Sequence, residues 1–248
     1  MYDENQEVTV VLTSYNKPSF LKKAIQSVLY QTYDRVHLII ADDNSSDPYV
    51  SKVIIDSMKY NGNKRITSFN SNVEEKDRLL TARYATQINT AIRHFSNSKY
   101  ICYLADDDFY YPSMIEKMVS FAEHNKREVV FCAQHILDEN GNIDGNGENG
   151  RGIRFFNEVL SRGADKLDHN QVMNTRRVFD EVGGWDDSPG TWSGADAYFF
   201  DRIEKLEVSK FYPIDYSEPL QAKVYREKSV QWNMTNGLSP DGSSLKGG

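Results

Sequence analysis

Three consecutive carboxylates, Asp106, Asp107 and Asp108, follow the apolar run KYICYL (Lys99 to Leu104). Adjacent carboxylates repel, and their charged forms are disfavoured unless a cation sits among them. Hard oxygen donors favour Mg²⁺ or Mn²⁺, often shared with substrate phosphates. The bland alternative is an exposed acidic turn ahead of Pro112. Two more polar clusters stand in equivalent places. Thr13-Ser14-Tyr15-Asn16 ends the run VTVVLT (Val8 to Thr13), and Asp42-Asp43-Asn44-Ser45 follows VHLIIA (Val36 to Ala41). A lone polar residue after a strand is ordinarily a turn or cap residue. Three such clusters converging on one sheet edge predict a ligand site.

The elements that would position these clusters can be read from periodicity. VTVVLT and VHLIIA are continuous apolar, β-branched runs, the pattern of strands covered on both faces. Asn16-Lys17-Pro18 reads as a helix start, and Phe20, Leu21, Ala24, Ile25, Val28 and Leu29 repeat at helical spacing. Pro48 opens an amphipathic segment to about Met58, Arg65 to Phe69 is a short strand, and one long helix is expected from about Arg78 to Phe95. KYICYL is a fourth strand, Pro112 opens another helix, and EVVFCA (Glu128 to Ala133) is a fifth strand. Strand alternating with helix predicts an α/β fold, with a mainly parallel sheet and helices on both faces. Ligands in such sheets bind beyond the carboxyl ends of the strands, where the three clusters fall.

The glycine-rich stretch from Asp138 to Gly152 reads as a hairpin tip or flexible loop. The weaker, aromatic-rich pattern after it is expected to be a smaller α+β portion of the same globule. A single domain over residues 1–235 is expected, with a first half at about 1–135 that carries the three polar clusters and a second half at about 153–235. Residues 236–248 have the composition of a disordered tail.

Composition narrows the function. Lys and Arg number 29 against 36 Asp and Glu, a net charge of −7, which argues against a general nucleic-acid binder. No apolar run has the length of a membrane span. MYDENQEV lacks the basic start and apolar stretch of a secretory signal. Cys102 and Cys132 each lie in an apolar run and are expected to be buried free thiols in a reducing, cytoplasmic setting. The first strand-to-helix turn, TSYNKP, has no glycine, so a G-x-G-x-x-G dinucleotide site is excluded there, and no P-loop occurs.

The succession TSYNKP, DDNSSD, ARYATQIN, ADDD and WSGADAYFF resembles the inverting family 2 glycosyltransferases of GT-A fold, from about Val8 to Trp232. The resemblance implies transfer of a sugar from a UDP- or dTDP-sugar to the hydroxyl of a glycan, glycolipid or protein acceptor, with Mn²⁺ or Mg²⁺ as cofactor. It implies Thr13 and Tyr15 near the base, Asp43 on the pyrimidine with Asp42 beside it, and Arg83 near the nucleotide. Asp106 would face the ribose or sugar, Asp107 with Asp108 would hold the metal, and Asp196 would be the catalytic base. His169 could approach the acceptor. The late segment Tyr225-Arg226-Glu227-Lys228 lacks the histidine many relatives carry, though Arg226 could still meet the diphosphate. Two other classes share some of these features. A nucleotidylyltransferase would carry a glycine-rich basic loop after the first strand, which TSYNKP does not match, and a non-catalytic nucleotide-sugar binder would not need Asp196.

Overall fold

In a computed structural model, residues 6–60, 62–143, 152–191, 194–206, 210–214 and 218–224 are described. Within them the chain runs β1 (Val8–Ser14), α1 (Pro18–Leu29), β2 (Val36–Asp42), α2 (Pro48–Ser57), β3 (Arg65–Asn70), α3 (Arg83–Phe95), β4 (Tyr100–Ala105) and β5 (Phe109–Tyr110). It continues with α4 (Met114–Asn125), β6 (Val129–Phe131), β7 (Gln134–Leu137), β8 (Ile153–Arg154), β9 (Val172–Thr175), α5 (Arg176–Glu181), α6 (Ala195–Glu204), β10 (Tyr212–Pro213) and β11 (Gln221–Val224). The larger sheet has the order β10-β6-β9-β4-β1-β2-β3, and only β9 runs antiparallel to its neighbours. A smaller sheet, β5-β11-β7-β8, stands beside it.

The pleat explains why β1 is apolar throughout. Val8, Val10 and Leu12 point to one face, where Leu21, Ala24, Ile25 and Val28 of α1 and Met114 and Met118 of α4 cover them. Val11 points to the other, against Ala85, Ile88 and Ile92 of α3 and Phe199 of α6. β4 divides likewise, with Cys102 and Leu104 on the first face and Ile101 and Tyr103 on the second. Cys102 and Cys132 are buried free thiols, as expected, and burial pushes both thiols well above the ordinary range.

Three sequence expectations need correction. The helix from Arg78 is broken: Glu75–Leu80 is a 3-10 turn, Thr81 and Ala82 are extended, and α3 starts at Arg83. Leu79 and Leu80 are exposed while Ala82 is fully buried, so the turn sacrifices apolar packing. In exchange it lets arginines on both sides of the break reach one carboxylate. The strand from Glu128 stops at Phe131, because after Cys132 and Ala133 the chain crosses into the smaller sheet as β7. The helix after Pro112 begins two residues later, at Met114.

The glycine-rich stretch does join a hairpin, since β7 pairs antiparallel with β8. Its residues 144–151 and the tail at 236–248 lie outside the described residues. Among the described residues no helix is long and apolar enough to cross a membrane.

Candidate active site

The carboxyl ends of β1, β2 and β4 lie side by side, because β1 pairs with both neighbours as far as Thr13, opposite Ala41 and Ala105. Thr13 is half-buried at this edge. The loops that leave the strands are stitched together. Asn16 takes a left-handed backbone (φ 53°), a conformation asparagine tolerates. Its N–H donates to Ser45 Oγ at 2.9 Å, and its Oδ1 accepts from Asp47 N at 3.0 Å.

Asp42 and Asp43 are neighbours with different tasks. Asp42 is buried, and its carboxylate accepts from Ser45 N (3.1 Å), Ser45 Oγ (2.5 Å) and Asn70 Nδ2 (2.9 Å), so it ties the loop. Asp43, 2% exposed, accepts from Ser71 Oγ (2.7 Å), Arg78 Nη1 (2.6 Å) and Arg83 Nη2 (2.9 Å). Arg78 also donates to the Asp43 backbone carbonyl. Its guanidinium covers the Tyr15 ring, 3.7 Å from the centroid. Tyr15, Asp43, Arg78 and Arg83 therefore form one cluster. Sequence reading singled out three of them and missed Arg78, which it placed at the start of one long helix.

Tyr15 also joins this cluster to the acidic run. Its N–H donates to Asp106 Oδ2 at 2.9 Å. Lys17, a second residue sequence reading passed over, bridges Asp106 Oδ1 (2.7 Å) and Asp107 Oδ2 (2.9 Å). Burial pushes the Asp106 carboxyl up to about 6 against the pull of Lys17, with the Asp107 charge adding to the rise. Asp108 is also buried, and its Oδ1 accepts from Val224 N of β11 at 2.9 Å. Burial and the Asp107 charge raise its carboxyl well above the usual range. The acidic run is thus not an exposed turn but mutually repelling carboxyls at a strand end. Among the described residues, no three metal-ligating side chains gather into a protein-only cage. Crowded carboxyls of this kind fit a divalent cation that completes its shell with water and substrate phosphate.

Asp196 lies in the first turn of α6, preceded by Gly194 with a left-handed backbone (φ 70°). Ala195 N donates to the Tyr84 hydroxyl at 3.0 Å, and Ala197 N donates to Asp196 Oδ1 at 3.0 Å. Burial and the Asp196 charge raise the Tyr84 hydroxyl well above its ordinary value. The structure brings His169 to Asp196, with Nδ1 3.7 Å from Oδ2. His169 belongs to a 3-10 turn (His169–Gln171) capped by Asp168 and anchored beneath the acidic run, because Asn170 Oδ1 accepts from Ala105 N at 2.7 Å. Asp168 pairs with Lys223 of β11. Burial disfavours its charge, but Lys223 and His169 more than offset this and hold its carboxyl far below the usual range.

Asp186, Asp187 and Asp201 are the other carboxylates nearest Asp196 in sequence; Asp186 accepts from Ser188 N at 3.1 Å and Thr191 Oγ1 at 3.4 Å, and Asp201 faces Arg162 at 3.7 Å. Trp185, from the WDDSP segment, is held by Asn89, whose side chain bonds both its N–H and its carbonyl at 2.9 Å. Arg226 lies outside the described residues.

Comparison with known proteins gives this geometry a family. CgeD of Bacillus subtilis (strain 168) is 37% identical over 220 residues, covering 85% of this chain and 48% of CgeD. The chain therefore spans about half the length of that relative. Among solved structures, Staphylococcus aureus TarS 1-349 in complex with UDP-GlcNAc superposes with a TM-score of 0.60 at 13% identity, covering 90% of this chain and 59% of that one. The mannosyltransferase PcManGT from Pyrobaculum calidifontis, in complex with GDP-Man and Mn²⁺, superposes with a TM-score of 0.65 at 13% identity, covering 93% and 61%. These likenesses establish the GT-A type of fold. Residues 9–178, more than half of the chain, match the model of Glycosyl transferase family 2, and the chain belongs to that family.

Proposed function

We propose that this domain is an inverting glycosyltransferase that moves a sugar from a UDP- or dTDP-sugar to an acceptor hydroxyl on a glycan, glycolipid or protein. The observation that carries the reading is the linked set at the strand ends: Tyr15 hydrogen-bonded to Asp106 and covered by Arg78, which itself pairs with Asp43. That set offers an aromatic face and a charged edge for a base, beside carboxylates suited to a metal-bound diphosphate. TarS with UDP-GlcNAc and PcManGT with GDP-Man and Mn²⁺ support donors of this chemical class.

The residues divide the work. Thr13, Tyr15, Asp43, Arg78 and Arg83 hold the nucleoside, with Asp42 fixing the loop that presents Asp43. Asp106 faces the ribose or sugar. Asp107 and Asp108 would hold Mn²⁺ or Mg²⁺, which when bound neutralises the departing diphosphate. Arg226 would add positive charge to that leaving group. Asp196 accepts the acceptor hydroxyl proton as the oxygen attacks the anomeric carbon and the bond to the diphosphate breaks. Direct displacement by the acceptor oxygen, with Asp196 as its base, gives inversion. Residues 1–135 form the donor half, and 153–235 the acceptor half. The buried free thiols favour a cytoplasmic setting.

The first test is a thermal-shift screen of UDP, dTDP and GDP and their sugars, with and without Mn²⁺. A ligand that binds only the folded state at about 100 times its Kd adds ~2.7 kcal/mol. Metal-dependent stabilisation by a pyrimidine nucleotide is the expected result. No stabilisation by any of them would contradict the reading.

A further inference from the structure

His169 has a geometry that packing alone does not explain. Its ring is stacked on Tyr84 (centroids 5.7 Å apart, planes at 16°) and meets Trp185 edge-on at 5.6 Å. Tyr84 is also the residue whose hydroxyl accepts from Ala195 N, at the start of the helix that carries Asp196. One tyrosine thus fixes both the plane of the imidazole and the base of Asp196. Within this clamp His169 Nδ1 is buried and has no hydrogen-bond partner among the described residues. An unpaired buried polar atom is costly, so it calls for an explanation.

Two carboxylate oxygens lie close to that nitrogen, Asp196 Oδ2 at 3.7 Å and Asp168 Oδ1 at 4.0 Å. The Asp168 carboxylate is already committed: Oδ1 accepts from the backbone and side chain of Asn170, and Oδ2 accepts from Lys223. Asp196 Oδ2 is therefore the partner within reach. A side-chain rotation of Asp196 would close the gap, and catalytic hydrogen bonds commonly tighten only when substrate arrives.

We propose that His169 is a positioning residue for Asp196: its Nδ1–H closes on Asp196 Oδ2 and holds the carboxylate in the rotamer that faces the acceptor hydroxyl. This rests on Asp196 being the base. The Asn170 bond to Ala105 N ties the same turn to the residue before Asp106, so the base is positioned relative to the donor side by a continuous chain of contacts.

His169→Phe keeps an aromatic ring between Tyr84 and Trp185 and removes the nitrogen. His169→Asn keeps a donor near the Nδ1 position. Both are compared by UDP release from UDP-GlcNAc, with p-nitrophenyl glycosides as acceptor probes. For His169→Phe, kcat should fall by roughly 10²-fold, the cost of misplacing a reacting group by about 1 Å, with KM for donor and acceptor unchanged. His169→Asn should recover part of the loss. In an Asp196→Asn background, His169→Phe should have no further effect. Independently of any acceptor, nitrogen NMR of histidine-labelled protein should find the Nδ1–H tautomer. Full kcat in His169→Phe, a loss that persists in the Asp196→Asn background, or the Nε2–H tautomer would each overturn the positioning role. Normal turnover by Asp196→Asn alone would instead remove the base assignment beneath it.

Discussion

The guanidinium of Arg78 lies 3.7 Å over the ring of Tyr15 while pairing with Asp43. Two residues 63 apart along the chain thus meet in one cluster. Asp43 holds the cluster together, because its carboxylate pairs with both Arg78 (2.6 Å) and Arg83 (2.9 Å).

That dependence gives the first prediction. Asp43→Ala leaves two mostly buried guanidinium groups facing each other. Breaking a buried ion pair from one side costs about 3–5 kcal/mol. Urea unfolding of Asp43→Ala should lose at least about 3 kcal/mol, and nucleotide binding should be lost with or without metal. A variant as stable as the parent would mean that the arginines carry no weight there.

The metal assignment is tested separately. Asp107→Ala should bind a nucleotide diphosphate with an affinity that no longer depends on Mn²⁺, measured by calorimetry. Lys17→Met should raise the affinity for Mn²⁺ alone, since it removes the ammonium that bridges Asp106 and Asp107. Unchanged Mn²⁺ dependence in Asp107→Ala would remove that carboxylate from the metal site.

A third prediction concerns stability and pH, far from the site. His37 is buried between Arg65 and Thr67, and burial first, then the Arg65 charge, lowers its pKa to about 4. Its ordinary value is 6.5. The folded state therefore holds His37 neutral at pH values where the unfolded chain protonates it. The stabilisation is complete above about pH 6.5 and is lost as pH falls towards 4. Over that window unfolding free energy should drop by roughly 1–3 kcal/mol, and His37→Gln should flatten the curve. An identical slope in the variant would contradict the assignment.

Asn89 supplies a fourth. Its side chain satisfies both backbone groups of Trp185, at 2.9 Å each. Asn89→Ala orphans two buried polar groups at about 1–3 kcal/mol each. Thermal melts should show a destabilisation of about 2 kcal/mol or more, with reduced acceptor turnover and intact nucleotide affinity. Loss of nucleotide affinity at full stability would contradict it.

The sequence revealed β1, β2 and β4 because a strand buried on both faces must be apolar throughout, and the three polar clusters because they ended those runs. It concealed β5, β8, β10 and β11, which are two to four residues long and draw their stability from partners distant along the chain. Lys17 and Arg78 escaped notice because a long cationic side chain looks like ordinary surface until the fold shows which carboxylate it reaches. The break before Arg83 was hidden because Leu80, Tyr84 and Ile88 keep helical spacing across it. The link between His169 and Asp196 depends on Tyr84 and Trp185 from other parts of the chain, which no local pattern records.

The most direct measurement is sugar transfer by Asp196→Asn alongside donor affinity. The substitution keeps the side-chain shape and removes the proton acceptor. Donor binding should match the parent, because Asp196 stands beside His169 and is assigned to the acceptor hydroxyl and not to the nucleotide. Transfer to an acceptor should fall by roughly 10²–10⁴-fold, the usual contribution of a positioned general base. Near-normal transfer by Asp196→Asn, with donor affinity intact, would contradict the assignment of Asp196 as the base.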